Sequence, residues 1–269
     1  MIAVVDYQKG NLKSVERGLI AAGGEAFITA DASEIAKADA IVLPGVGAFA
    51  DAAATMCELG QMEAIRERVR AGVPFLGICL GEHLMFEHGV EGAPEGSPAC
   101  GLGLLPGTVV AMPRYDEQGK AFKVPHVGWN TIEMPACNGG AAVPPCGGVG
   151  GNAVLSSGGV GGGAARSSAA KRGLFERGAF PDSTPQPGGE LAFACPLFDG
   201  IAPGEYFYFT HSYIAPTGSH TIAETTHSVR FTSAVQYGDR AFGVQFHPEK
   251  SSDAGARVLA NFVAIAARG

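Results

Sequence analysis

Through the first third of the chain, short apolar runs alternate with stretches whose apolar residues recur at helical spacing. Ile2 to Val5 is a run of small and branched apolar residues ending at Asp6, and after Gly10-Asn11 the positions Leu12, Val15, Leu19 and Ile20 share one helix face. Gly23-Gly24 stops that helix, Ala26 to Thr29 predicts a second strand, and Asp31 with Ser33 offers capping oxygens to a short helix. Ala40 to Leu43 predicts a third, buried strand that runs into Pro44-Gly45-Val46-Gly47. From Ala48 to Arg70 the pattern predicts one helix, with Met56, Leu59, Met62, Ile65 and Val69 as its apolar stripe. Gly72 then hands over to Val73, Phe75, Leu76 and Ile78, another buried strand, before Leu80, Leu84 and Met85-Phe86 return to helical spacing. Strands and helices alternating in this way predict an α/β fold with a mostly parallel open sheet flanked by helices. Its ligands belong at the carboxyl ends of the strands, where Cys79 and the 44–47 loop both fall.

Beyond Gly89 the punctuation changes. Gly101 to Gly107 reads as a loop, Thr108 to Met112 as a strand, and Lys123 to Ile132 as an extended segment carrying the only tryptophan, Trp129. Residues 136–190 hold 15 of the 40 glycines, together with Pro144-Pro145 and the run Gly158 to Gly163, and too few large apolar residues to repay the entropy of ordering. A flexible insertion interrupting one domain over 1–269 is expected there. Order returns at Cys195, and the aromatic segment Glu205 to Tyr213 suits a strand. Thr221 to Thr225, Phe231 to Tyr237 and Ala241 to Phe246 predict further strands, the last two joined by a turn at Gly238-Asp239. Ser251 or Ser252 is placed to cap a final helix whose buried face is Val258, Leu259, Phe262, Val263 and Ile265.

Composition narrows the partners. A chain of 269 residues with 46% hydrophobic and 17% charged residues suits one sizeable core. A formal charge of -7 and a pI near 5.5 argue against nucleic acid or an anionic membrane as partner, since both need clustered Lys and Arg. Met1 to Val5 is too short for a signal h-region and is expected to form the first strand, no apolar run approaches membrane-spanning length, and the six cysteines form no close CxxC pair. A cytoplasmic protein without metal or cofactor is the expectation.

The chemistry centres on Gly77-Ile78-Cys79-Leu80-Gly81, a thiol between two glycines at a strand-to-helix corner. Such an elbow pushes the reactive atom outward, and the helix N-terminus places partial positive charge beside sulfur. The same pentapeptide also fits a buried structural cysteine. A nucleophile needs a base and an orienting carboxylate, and His247-Pro248-Glu249 at a strand end supplies both, although a solvated loop histidine near a surface glutamate has the same pattern. Donors for a developing oxyanion are the N–H of Leu80 and an N–H in the loop containing Val46 and Gly47. Gly45 and Gly47 equally suit a strand that must turn into a helix.

Taken together, Gly-Ile-Cys79-Leu-Gly, Pro44-Gly-Val-Gly and Val-Gln-Phe-His247-Pro-Glu249-Lys-Ser resemble the class I glutamine amidotransferases, whose fold is flavodoxin-like with additional antiparallel strands. Within them, Asp6-Tyr-x-x-Gly-Asn11, Pro125-His-Val-Gly-Trp-Asn130 and His211-Ser-Tyr213 resemble the HisH-type glutaminase subunits of imidazole glycerol phosphate synthase. The resemblance covers nearly the whole chain outside 136–190. It implies that Cys79 attacks the glutamine amide, His247 protonates the departing ammonia and Glu249 orients His247. It further implies passage of ammonia to a HisF-type (β/α)8-barrel cyclase subunit in a heterodimer. That subunit would convert a ribulosyl-phosphate precursor, PRFAR, to imidazole glycerol phosphate and AICAR in histidine biosynthesis.

By the same resemblance, Gly47, Glu91, His211, Ser212 and Tyr213 bind the substrate, and Tyr208, Lys250 and Trp129 lie at the partner interface near the ammonia exit. A strand tyrosine packed on its sheet and a solvated lysine would also account for the first two of these last three. The chain departs from the usual Gly-Met-Gln with Gly81-Glu82-His83. His83 then either offers a ring nitrogen to glutamine or pairs on the helix surface with Glu87. Another class I amidotransferase, a stand-alone glutaminase and a non-catalytic binding subunit are the competing readings.

Overall fold

The computed structural model describes residues 1–135 and 193–268; the expected insertion at 136–190 lies outside them. In chain order the first elements are β1 (Ile2–Val5), α1 (Leu12–Ala21), β2 (Ala26–Thr29), α2 (Ala32–Ile35) and β3 (Ala40–Gly45). They are followed by α3 (Phe49–Glu58), α4 (Gln61–Arg70), β4 (Phe75–Cys79) and α5 (Leu80–His83). Next come β5 (Phe86–Gly89), β6 (Ala99–Cys100), β7 (Leu105–Ala111), β8 (His126–Thr131), β9 (Tyr206–His211) and β10 (Tyr213–Ile214). The chain closes with β11 (Thr221–Thr226), β12 (Arg230–Tyr237), β13 (Ala241–Val244) and α6 (Ser252–Ala266).

Among the described residues, seven strands form one sheet in the order β11-β12-β13-β4-β3-β1-β2. The run from β13 to β2 is parallel, whereas β11, β12 and β13 pair antiparallel. Alternate residues of the central strands serve opposite faces. Val4, Val42, Leu76 and Phe242 pack with Leu19, Leu259 and Phe262 from α1 and α6, while Val5, Ile41, Leu43 and Phe75 pack with Met56, Ile65 and Val69 from α3 and α4. Two smaller sheets, β10-β7-β5-β6 and β8-β9, account for the remaining strands. No helix of the described residues is long and apolar enough to cross a membrane.

Four local expectations are corrected. The helix expected from Ala48 to Arg70 is two helices, because Gly60 takes a left-handed conformation at φ 69° between α3 and α4. The helix after Cys79 is a single turn. The backbone oxygens of Leu84 and Met85 accept N–H groups of Leu102, Leu104 and Leu105, and Phe86 then pairs with Leu105 as a strand. Ile20, assigned to the buried face of α1, is 52% exposed. Ser251 precedes α6 but does not cap it with its side chain: its hydroxyl donates to the carbonyl oxygen of His247 at 2.6 Å and accepts from the Tyr208 N–H at 3.0 Å.

Candidate active site

Register alone brings the expected residues to one rim of the sheet. β4 ends at Cys79 and its neighbour β3 ends opposite, with Gly45 paired to Cys79. On the other side β13 pairs Val244 with Ile78, so the chain that continues through Gln245 and Phe246 delivers His247 to the same end. Cys79 has a positive φ of 54°, uncommon for a residue with a side chain, as expected of a strained elbow. Its flanking glycines are sterically required. A Cβ at Gly81 would sit 1.8 Å from the carbonyl oxygen of Leu43, and one at Gly77 would meet the Gly81 oxygen at 2.5 Å.

Next to the sulfur lies a cavity of about 370 Å³. Cys79 and Leu80 meet Val46, Gly47 and Ala48 on one side of it. His83, Glu91, Pro125 and the strip Thr210, His211, Ser212 and Tyr213 complete the wall. A larger cavity of about 590 Å³ opens at the opposite, amino-terminal end of the strands, around Met1, Arg68, Pro74 and Arg240, remote from this chemistry.

His247 and Glu249 stand behind the thiol. The His247 Nδ1–H donates to Glu249 Oε1 at 2.9 Å, with both side chains 2% exposed, while Nε2 is buried and makes no hydrogen bond. Burial pushes the imidazole pKa down, but the Cys79 sulfur and the Glu249 carboxylate overcome this and raise it to about 9. Cys79 itself directs its S–H towards the Thr210 carbonyl oxygen at 4.0 Å.

The 44–47 loop is tightly seated at its base. A Cβ at Gly45 would lie 2.1 Å from the Tyr7 hydroxyl, and Gly47 takes φ 105°. Tyr7 is fully buried beneath the loop, and burial raises its pKa above the ordinary value. The Val46 backbone N–H lies near enough to the Tyr7 oxygen to favour its anion, although no hydrogen bond of ordinary geometry forms. Across the cavity, burial raises the Glu91 carboxyl above the usual range, with the Phe49 N–H acting in the opposite sense.

His83 points away from the surface pairing with Glu87. Its Nε2 lies 2.7 Å from Gln245 Oε1, and Gln245 Nε2 lies 3.7 Å from Cys79 Sγ. Glu87 accepts the Gly107 N–H instead. Gln245 is a neighbour of sulfur that the sequence reading missed, although its place two residues before His247 in the quoted motif was a usable signal. His126 was missed as well. Its Nδ1 lies 3.0 Å from His211 Nε2, and His211 Nδ1 lies 2.8 Å from the Tyr213 carbonyl oxygen. Since a carbonyl can only accept, His211 carries its proton on Nδ1, and His126 must donate from Nδ1 to the bare Nε2 of His211. Asn130 then donates to His126 Nε2 at 3.3 Å. Burial lowers both imidazole pKa values, His126 to about 4 with help from His227 and His211 well below the ordinary value, so the series stays neutral and fixes the His211 strip.

Tyr208, Trp129 and Lys250 gather outside the cavity. Trp129 pairs with Tyr208 across β8 and β9, their rings meet edge to face at 6.0 Å, and Lys250 Nζ lies 5.9 Å over the Tyr208 ring. Tyr208 also accepts the His247 N–H on its carbonyl oxygen at 2.9 Å, so this aromatic patch adjoins the histidine loop directly.

The family profile of glutamine amidotransferase class-I matches residues 3–136 and 180–266. The chain belongs to the class I glutamine amidotransferases. Within that family it is similar to subunit HisH of imidazole glycerol phosphate synthase from Moorella thermoacetica, 37% identical over 97% of this chain and 93% of the relative. The corresponding subunit from Syntrophotalea carbinolica is 34% identical over 97% of this chain and 98% of the relative. These relatives place the amidotransferase on the HisH branch, and glutaminase is its enzymatic class. Among solved structures, a glutamine amidotransferase crystal structure aligns with a TM-score of 0.59 at 15% identity, covering 99% of this chain and 100% of the other. The glutaminase domain of Trypanosoma brucei CTPS, solved with bound acivicin, aligns at 0.54 and 14% identity over 99% of this chain and 93% of that one. Both likenesses concern the fold.

Proposed function

We propose that this amidotransferase is the glutaminase half of an imidazole glycerol phosphate synthase, and that Cys79, His247 and Glu249 are its catalytic triad. The observation that carries the reading is the meeting, at one rim of the sheet, of a strained cysteine with a buried His247–Glu249 pair beside a cavity. The Cys79 thiol gives its proton to His247 Nε2, and its sulfur attacks the carboxamide carbon of glutamine. The resulting oxyanion takes hydrogen bonds from the N–H of Leu80 and from the loop N–H at Val46 or Gly47. As the C–N bond breaks, His247 Nε2–H protonates the departing nitrogen, and ammonia leaves. Water then attacks the glutamyl thioester, giving its proton to His247, and glutamate departs as sulfur is restored.

Glu91, a carboxylate in the cavity wall, pairs with the substrate's α-ammonium group. Gly47, His83 and the backbone of His211, Ser212 and Tyr213 hold the remainder of glutamine. The exposed Trp129 with Tyr208 and Lys250 forms the docking edge for a (β/α)8-barrel cyclase of the HisF type, which takes up the ammonia and converts PRFAR to imidazole glycerol phosphate and AICAR. The proximity of the Val46 N–H to Tyr7 supports a loop that does not present its donor until the loaded partner docks. Hydrolysis of glutamine by the isolated chain at the rate of the complex would remove that gating step.

The decisive assay pairs the chain with a cyclase subunit. Cys79→Ala is expected to abolish glutamine-dependent synthesis while ammonia-dependent synthesis persists. Glutamine use left intact by Cys79→Ala would end the nucleophile assignment.

A further inference from the structure

Three polar side chains beside Cys79, namely Glu82, His83 and Gln245, form a buried series. Glu82 and Gln245 are fully buried and His83 is 3% exposed. Gln245 Oε1 faces His83 Nε2 at 2.7 Å, and Gln245 Nε2 faces Cys79 Sγ at 3.7 Å, within the longer range normal for sulfur. The tautomer of His83 therefore decides which end of the Gln245 amide meets the sulfur. With the proton on Nε2, His83 donates to the amide oxygen and the NH2 group turns to Cys79. With the proton on Nδ1, the amide would turn over and set a carbonyl oxygen against the sulfur, which would repel a thiolate.

Glu82 selects between these states. Its Oε2 lies 3.8 Å from His83 Nε2, and neither carboxyl oxygen has a hydrogen-bond partner. An N–H is favoured over a lone pair where a carboxylate oxygen or the carbonyl oxygen of a neutral carboxyl faces it, and the Glu82 oxygen nearest Nε2 is read as such an acceptor. We propose that Glu82, His83 and Gln245 act as positioning residues, holding the Gln245 N–H on the Cys79 sulfur so that the thiolate is stabilised before substrate arrives. This rests on Cys79 being the nucleophile of the reaction proposed above. Burial supports the neutral form of the pair, raising the Glu82 carboxyl well above its usual range and lowering His83 to about 4. Among the other titratable groups nearby, His211 faces His83, Tyr7 and the His247–Glu249 pair face Cys79, and Glu91 lines the same cavity as His83.

The test is the rate of iodoacetamide alkylation of the full chain without glutamine, read at the Cys79 peptide by mass because Cys57 and Cys100 are exposed and also react. Gln245→Met and His83→Leu should each slow Cys79 alkylation at neutral pH about tenfold, the effect of losing one donor to a charged group, and shift the rate profile to higher pH. The double variant should be no slower than either single one, since both remove the same N–H. Glu82→Met should slow alkylation by a smaller factor. His83→Gln, which can still donate to Gln245, should restore most of the rate. A series that serves only packing would lower thermal midpoints without moving the alkylation profile, and a His83 that serves only substrate would raise the KM for glutamine alone. Either result overturns the inference. If the wild-type complex hydrolyses glutamine while the alkylation profiles coincide, this inference alone fails; if the wild-type complex does not hydrolyse glutamine, the functional reading beneath it fails.

Discussion

Glu249 Oε1 lies 2.9 Å from His247 Nδ1 although only Pro248 separates the two residues in the chain. The tight turn at Pro248–Lys250 folds the carboxylate back beneath the ring, leaving Nε2 to face the cysteine side. This fixes both the orientation and the tautomer of the imidazole at once. Glu249→Gln keeps the shape and removes the charge. Glutamine-dependent kcat/KM of the complex should fall about a hundredfold or more, by analogy with other orienting carboxylates, while ammonia-dependent synthesis stays within experimental error. Steady-state assays with either nitrogen source check it.

The pH dependence of stability should have a maximum near neutrality. Three buried imidazoles are depressed below the ordinary 6.5, His83 and His126 to about 4 and His211 well below its ordinary value, so the unfolded chain binds more protons and stability rises with pH across about 4 to 6.5. On the alkaline side the sign reverses. His247, raised to about 9, holds a proton that the unfolded chain releases above 6.5, and the buried Glu82 carboxyl, raised well above 4.5, does the same from about 4.5 upward, opposing part of the histidine gain. Stability is therefore lost as pH climbs towards 9. In Glu82→Gln the thermal midpoint should be higher at pH 8, and its fall with pH above about 4.5 should be shallower. A decline unchanged by that substitution would mean that the carboxyl is not carried neutral in the fold.

Gly81→Ala should be far costlier than its size suggests, because the new methyl group would lie 1.8 Å from the Leu43 carbonyl oxygen on an adjacent strand. We expect a loss of about 3 kcal/mol or more, since backbone rather than a flexible side chain must yield. Gly72→Ala is the control. It has open space around it and a φ of 85°, so only the left-handed backbone is penalised, at about 1 kcal/mol. Urea titrations of the two variants should separate them clearly.

Trp129 is 51% exposed and touches Tyr208 only edge to face. Trp129→Ala should leave the unfolding free energy within about 0.5 kcal/mol, as for a surface position, yet weaken cyclase binding tenfold or more if the indole is an anchor of the docking edge. Calorimetric titration of the cyclase into each protein decides between an anchor and an idle surface aromatic.

The sheet was legible because its central strands are buried on both faces and read as continuous apolar runs, as at Ala40–Leu43 and Val73–Ile78. The break at Gly60 was hidden because the two helices keep their apolar residues almost in phase across the turn, with Met56 and Met62 both buried. The single-turn length of α5 depends on hydrogen bonds from residues 102–105, a tertiary effect invisible to local periodicity. In the candidate site, cysteine, histidine and glutamate announced themselves by chemistry, and the strand-end rule placed them. Gln245 and His126 did not, since their significance lies in proton direction across strands remote in the chain. An amide or imidazole of that kind acquires a defined role only after its neighbours are fixed in space.

Cys79 ends β4 and His247 follows β13 by three residues, and these two directly bonded strands are locked in register over four residue pairs. Sliding one without the other would break that ladder, so both behave as fittings bolted to a single plate. If the proposed partner gates turnover, it would have little purchase on the spacing of this pair. Its leverage falls on the parts cantilevered from the plate, above all the turn around Val46 and Gly47.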